Sequence, residues 1–134
     1  MTSERGSLTL ELALVVPALI FMVVFISGAA AIVGARSDVD DAAWEAARAA
    51  SLTRSPMAAE LAARSAVDQR LAGERWSCAG KRVVVDVSRF NPGGSVAVSV
   101  SCGLPLADAG LFLPGATHLN ARAVQPLDQY KAFQ

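Results

Sequence analysis

The chain has 134 residues, 53% of them hydrophobic, and its 12 basic and 12 acidic side chains cancel. This length suits one domain of ordinary size. Nucleic-acid binders usually present a basic surface, so a neutral chain is not expected to bind nucleic acid. The single histidine, His118, removes most metal sites and most histidine-based catalysis from consideration.

An apolar run without any charged side chain extends from Leu12 to Gly34. As a helix it would be about 34 Å long, enough to cross a hydrocarbon core of about 30 Å. No second run of this kind occurs, which predicts a single-pass membrane protein. Arg5 and the free amine precede the run, so the positive-inside rule places the N-terminus in the cytoplasm and residues 36–134 outside.

The helix is predicted to continue beyond the apolar run, from about Leu8 to Ala50, because strong helix formers follow it. Three acidic residues in this continuation lack the spacing of a calcium loop and are interpreted as a solvated helix turn; they are Asp38, Asp40 and Asp41. The segment from about Leu8 to Ala50 is therefore predicted to be a membrane helix that continues into a stalk.

A second helix is predicted to begin after Ser55, an N-cap residue, with Pro56 at the first helical position. Gly73 is a natural stop for this helix. Its larger apolar side chains are expected to form the packing face; they are Leu61, Val67 and Leu71.

Alternating valines then predict strands over Arg82–Ser88 and Ser95–Ser101, joined by the turn residues 91–94 into a hairpin. A third alternating stretch covers His118–Gln125. The segment Gly103–Ala116 is predicted to be a loop, and its large apolar residues look exposed. They are Leu104, Leu106, Leu111, Phe112 and Leu113, and the last three form either a docking patch or a cover over the sheet.

Three short strands do not fold alone, so the sheet should pack on the helices. The predicted fold class is α+β. It comprises a long N-terminal transmembrane and stalk helix, a second helix, and a small antiparallel three-stranded β-sheet head.

Cys78 and Cys102 are the only cysteines, and both lie in the predicted outer part. Such a pair tends to oxidise outside the cytoplasm, which predicts a disulfide. Two free buried thiols are the alternative. Neither a CxxC motif nor a nearby histidine suggests redox or zinc chemistry, and no cofactor or metal is expected.

Glu11 directly precedes the apolar run, where burying an unpaired carboxylate would cost free energy. It is either solvated by lipid headgroups or paired with a cation inside an assembly. It is preceded by Arg5-Gly6 and followed by Pro17 within the run. A further motif, Ala42-Ala43-Trp44-Glu45-Ala46-Ala47-Arg48, lies in the stalk.

With these motifs the sequence resembles type IV prepilins, and specifically the TadE-like minor pilins of tight-adherence (Flp-type) pilus systems. The resemblance covers residues 5–50 and includes the Arg-Gly pair, the glutamate, the early proline and a stalk motif like AAREGAR. Trp44 stands where the family often has arginine, and the first mature residue would be serine instead of a large apolar residue.

The resemblance implies a pilin-like subunit or pseudopilin that a prepilin peptidase cuts between Gly6 and Ser7. Glu11 and Pro17 would then serve assembly with other pilin-like subunits, an assembly ATPase and its membrane platform. The implied organisation is a leader over 1–6, a transmembrane and stalk helix over 7–50 with the span at 12–34, and an extracytoplasmic head over 51–134. The subunit would first reside in the cytoplasmic membrane, where membrane lipid surrounds the span. From there it could be incorporated into a surface pilus.

Two other interpretations remain. In one, residues 8–31 form a conventional signal peptide that is cut after Ala31, and the head is secreted. In the other, the protein is a simple single-pass anchored protein. An enzyme is not expected, because the sequence shows no nucleophile–base pair, metal-ligand set or phosphate loop.

Overall fold

The computed structural model describes residues 4–130 and 132, with side chains from Leu8 onward. In chain order it contains two helices, α1 (Glu4–Ser51) and α2 (Pro56–Ala72), and three strands. The strands are β1 (Ala79–Arg89), β2 (Ser95–Pro105) and β3 (Ala116–Pro126). The predicted α+β class, with a long N-terminal helix, a second helix and a three-stranded antiparallel sheet, is confirmed.

The sheet has the simple order β1-β2-β3, with both neighbouring pairs antiparallel. The turn after β1 uses Gly93 at a φ of +73°, a conformation that glycine adopts without strain. Val98 of β2 lies opposite Val85 of β1 and Ala123 of β3, so one apolar face runs across all three strands. The predicted alternation of the valines is confirmed.

The core lies where α1 crosses the sheet and meets α2. α1 packs against α2, β2 and β3, while α2 also contacts β1. Alanines dominate the helix faces at this junction and let the backbones approach closely. The buried alanines of α1 are Ala35, Ala42, Ala43, Ala46, Ala47 and Ala50.

The predicted second helix is confirmed, including its start. The Ser55 side chain accepts a hydrogen bond from the amide of Ala58, and Pro56 is the first helical residue. The expected packing face is confirmed for Val67, which is buried, and for Leu71, which is partly buried against the core, but it is wrong for Leu61, which is exposed. Ala59 and Ala63 are buried in addition. Small residues of α2 therefore lie in the core together with the buried alanines of α1.

The predicted loop over Gly103–Ala116 begins too early. β2 continues to Pro105, opposite Ala116 of β3. Leu104 consequently lies inside the core and is only 1% exposed, so the prediction of an exposed loop residue is wrong. The remaining loop between β2 and β3 carries Leu111, Phe112 and Leu113.

A disulfide joins Cys78 to Cys102, with the two Cα atoms 5.3 Å apart. Cys78 directly precedes β1, and Cys102 lies within β2 opposite Leu119. The cross-link therefore ties the entry into the edge strand to the middle strand of the sheet.

Candidate assembly site

The first part of α1 extends beyond the head. Every described side chain from Leu8 to Ser27 is exposed, and nearly all of them are apolar. The hydroxyl of Ser27 donates to the carbonyl of Val23, 2.8 Å away, so this polar group is satisfied within the helix. Among the described residues, α1 is the one helix long and apolar enough to cross a membrane.

Glu11 is exposed on this projecting segment, one turn after Ser7 along α1. Gly6 and Ser7 lie within α1, so no break in the helix marks the predicted leader boundary. Residues 1–3 of the predicted leader lie outside the described residues. The structure thus leaves the Glu11 carboxylate on an apolar helix with none of the head packed over it.

Pro17 also lies inside α1, which is continuous through it. Because proline has no amide hydrogen, the carbonyl of Ala13 loses its usual helical donor. Pro17 lies six positions after Glu11, which places them about 9 Å apart along the axis and about 120° apart around it. The two predicted assembly residues therefore belong to different faces of one free segment.

The head first covers α1 at Gly28, the first buried residue of the helix. Leu111 lies against it so closely that a Cβ atom at position 28 would be only 2.6 Å from the leucine Cδ2. Ile32 and Ala35 follow on the same covered face. The segment of α1 whose described side chains are all exposed is therefore 8–27.

The acidic turn of the stalk is less solvated than expected. Asp38 accepts a hydrogen bond from the indole of Trp76 at 3.1 Å and lies 3.5 Å from the Arg70 guanidinium. Asp41 lies 3.6 Å from the same guanidinium, which also pairs with Glu74. The interpretation as a solvated turn is wrong for Asp38, whose side chain is only partly exposed, whereas Asp41 is exposed although it pairs with Arg70.

Arg70 thus connects α1, α2 and the segment after α2. Its pKa is raised, chiefly because Glu74 accepts a hydrogen bond from the guanidinium, with Asp38 and Asp41 adding to the effect. The cluster is partly exposed, with 30% of the Arg70 side chain accessible. We expect this cluster to help orient the two helices.

Replacing Arg70 by alanine should lower the free energy of unfolding by about 1 kcal/mol, since it removes a partly solvated ion-pair network. Urea unfolding of the full chain in detergent micelles measures this. Arg64→Ala is the matched control on the exposed side of α2 and should change stability by less than about 0.5 kcal/mol. Equal effects of the two variants would contradict the proposed orienting function of Arg70.

A groove near the far end of α1 is lined by Trp44, Arg48, Leu52 and Gln125. The Trp44 side chain is 53% exposed. The stalk motif thus contributes its alanines to the core and its larger side chains to the surface. Among the residues that the structure describes, no group of three or more His, Cys, Asp and Glu side chains is placed to hold a metal ion.

These features define a class of protein: a small disulfide-linked α+β head fixed to the end of one long apolar helix. Residues 6–48, about a third of the chain, match the family model of TadE-like proteins. The match includes Gly6, Glu11 and Pro17, and it ends at Arg48. No curated protein and no solved structure matches the chain.

Proposed function

We propose that the protein is a minor pilin or pseudopilin of a tight-adherence pilus, which a prepilin peptidase processes between Gly6 and Ser7. It has no enzymatic activity of its own in this proposal. It resides in the cytoplasmic membrane with its N-terminus inside and its head outside, then acts in pilus assembly or enters the fibre. The observation that carries the proposal is the exposed Glu11 on a free apolar helix within the TadE-like region.

The geometry supports a pairing function for Glu11. After cleavage, α1 would begin at Ser7 with a cationic amine, and Glu11 lies one turn further along the helix. In a bundle of such helices, the carboxylate can pair with the amine of its own or a neighbouring subunit. A buried pair of this kind fixes the register between subunits.

The length of the free segment supports a membrane-embedded state before assembly. The exposed residues 8–27 are about 30 Å long as a helix, close to the hydrocarbon thickness of a bilayer, and they include residues 12–27 of the predicted span 12–34. Lipid would surround this segment, while one face of α1 from Gly28 onward is already covered by the head. Other pilin-like subunits, the assembly ATPase and its membrane platform are the proposed partners.

Intact mass and N-terminal sequencing of the protein from its native membrane test the processing step. A mature chain that begins at Ser7 is expected. A chain that begins at Ile32 would indicate conventional secretion, which the fold can accommodate because nearly all of the core lies after Ala31. An uncut chain would leave a simple membrane anchor. Either of these results would overturn the proposal.

The variant Glu11→Gln should insert into the membrane normally but reduce piliation by about 100-fold or more. Removing one partner of a buried ion pair costs about 3–5 kcal/mol, because the amine is left uncompensated. Piliation is counted by electron microscopy of cells that carry the complete assembly system. Normal piliation of this variant would contradict the pairing function.

Two further variants make the experiment specific for the buried charge. Asp40→Asn removes an exposed carboxylate from the same helix and should leave piliation unchanged. Glu11→Asp keeps the charge and should retain part of the piliation. If all three variants lose pili equally, the defect is not one of ion pairing.

A further inference from the structure

The loop between β2 and β3 presents large apolar side chains to the outside. Phe112 is 96% exposed and Leu113 is 59% exposed. No Lys, Arg, Asp or Glu occurs between Asp108 and Arg122, so the tip of the loop carries no formal charge. We refer to residues 109–115 as the apolar loop.

Backbone hydrogen bonds and two glycines define the conformation of the apolar loop. The amide of Leu106 donates to the carbonyl of Gly115 at 3.0 Å, and the amide of Leu111 donates to the carbonyl of Leu106 at 3.1 Å. Gly110 and Gly115 supply the positive φ angles of 75° and 114° that this closed path requires. These hydrogen bonds and glycines define the backbone path of the loop that carries Phe112.

Its base is fixed to the rest of the head. The Asp108 carboxylate accepts hydrogen bonds from the amide and the hydroxyl of Ser77, at 3.1 and 2.9 Å. These bonds hold the pKa of Asp108 below its usual range. The base of the loop is thus anchored to the segment that precedes β1.

The apolar loop contacts α1 at the end of the free helix segment. Leu111 packs on Gly28, and every described side chain from Leu8 to Ser27 is exposed. Measured from Leu12, where the predicted span begins, Gly28 lies about 24 Å along the helix, in the outer part of a hydrocarbon core of about 30 Å. Phe112, next to Leu111 in the chain, is consequently placed where the helix would leave the membrane.

We propose that the apolar loop inserts Phe112 and Leu113 into the outer surface of the same bilayer that α1 crosses. Apolar side chains gain free energy by entering the boundary between headgroups and acyl chains, and an uncharged loop pays no charge desolvation there. The head would then be attached to the membrane at two points, α1 and the apolar loop. This inference rests on the membrane-spanning part of the proposed function, and it is independent of peptidase processing.

The test uses the full chain in phosphatidylcholine vesicles, with an environment-sensitive fluorophore on a single introduced cysteine. The native cysteines are joined to each other, so the introduced thiol alone reacts. Three exposed apolar positions are compared: Phe112→Cys in the loop, Phe21→Cys in the span, and Leu52→Cys at the far end of α1. Spin-labelled lipids quench fluorophores according to their depth.

We expect a blue-shifted emission at position 112 that shallow spin labels quench, a deeper signal at position 21, and an aqueous signal at position 52. An aqueous signal at 112 together with a deep one at 21 would overturn the loop proposal alone. Aqueous signals at both positions would show that the span itself is wrong. Protection at 112 that disappears on dilution with lipid would identify a second copy of the chain as the occupant, which also overturns the proposal.

Discussion

Replacing Leu104 by alanine should lower the free energy of unfolding of the head by about 2–5 kcal/mol, the usual range for a fully buried leucine. Leu104 is among the largest completely buried side chains of the described core. It lies near the end of β2, in the cluster that includes Val39 and Ala109. Alanine would leave a cavity that two strands and a helix close only in part.

Urea unfolding of the full chain in detergent micelles, followed by near-ultraviolet circular dichroism, measures this loss. Leu61→Ala is the matched control, because Leu61 is 66% exposed on α2. It should change stability by less than about 0.5 kcal/mol. A larger loss for Leu61→Ala than for Leu104→Ala would show that the leucines are placed as the sequence pattern alone had indicated.

This pair of leucines shows where sequence patterns stop being informative. The type and order of the elements follow from local signals: the uncharged apolar run, Ser55 before Pro56, and the alternating valines. Such signals act within one helix or strand, so they predict the element without its neighbours. The helices and strands are accordingly found where the sequence predicts them, with differences at their ends.

Which face an element buries depends on how close its neighbour comes. α2 carries both leucines and alanines, and hydrophobicity favours Leu61 for the core. The structure instead buries Ala59 and Ala63, because α1 presents alanines at the same contact. Which face of α2 is buried therefore depends on how the two helices pack, and a local sequence pattern does not specify this.

At the candidate site, too, the sequence reveals some of the residues, while other contacts are visible only in the structure. Glu11 and Pro17 are visible in the sequence because a carboxylate and a proline are unusual in an apolar helix. The contact of Leu111 with Gly28 joins residues 83 positions apart and leaves no local pattern. The same is true of Arg70, whose carboxylate partners Asp38 and Asp41 lie on another helix.

Removing the disulfide with the double variant Cys78→Ala and Cys102→Ala should lower the free energy of unfolding by about 3.5 kcal/mol. The two cysteines are 24 positions apart, and the chain-entropy model gives this value for a loop of that size. Domains of this size have only about 5–15 kcal/mol in total. The loss is therefore a large part of the stability of the head.

The loss should be concentrated in β1. This strand lies at the edge of the sheet, and its inward valines, Val83, Val85 and Val87, are only half-buried. β3 lies at the other edge but packs directly on α1 and buries Leu119, Ala121 and Ala123. Hydrogen exchange in the double variant should therefore accelerate more in β1 than in β3.

Mass-spectrometric hydrogen exchange on the full chain in micelles resolves the two strands. The wild-type protein treated with a reducing agent is the matched control and should reproduce the faster exchange of β1. The double variant should not respond to the reducing agent. Equal acceleration in β1 and β3 would mean that the head unfolds as one unit, and that the disulfide stabilises the whole sheet instead of its exposed edge.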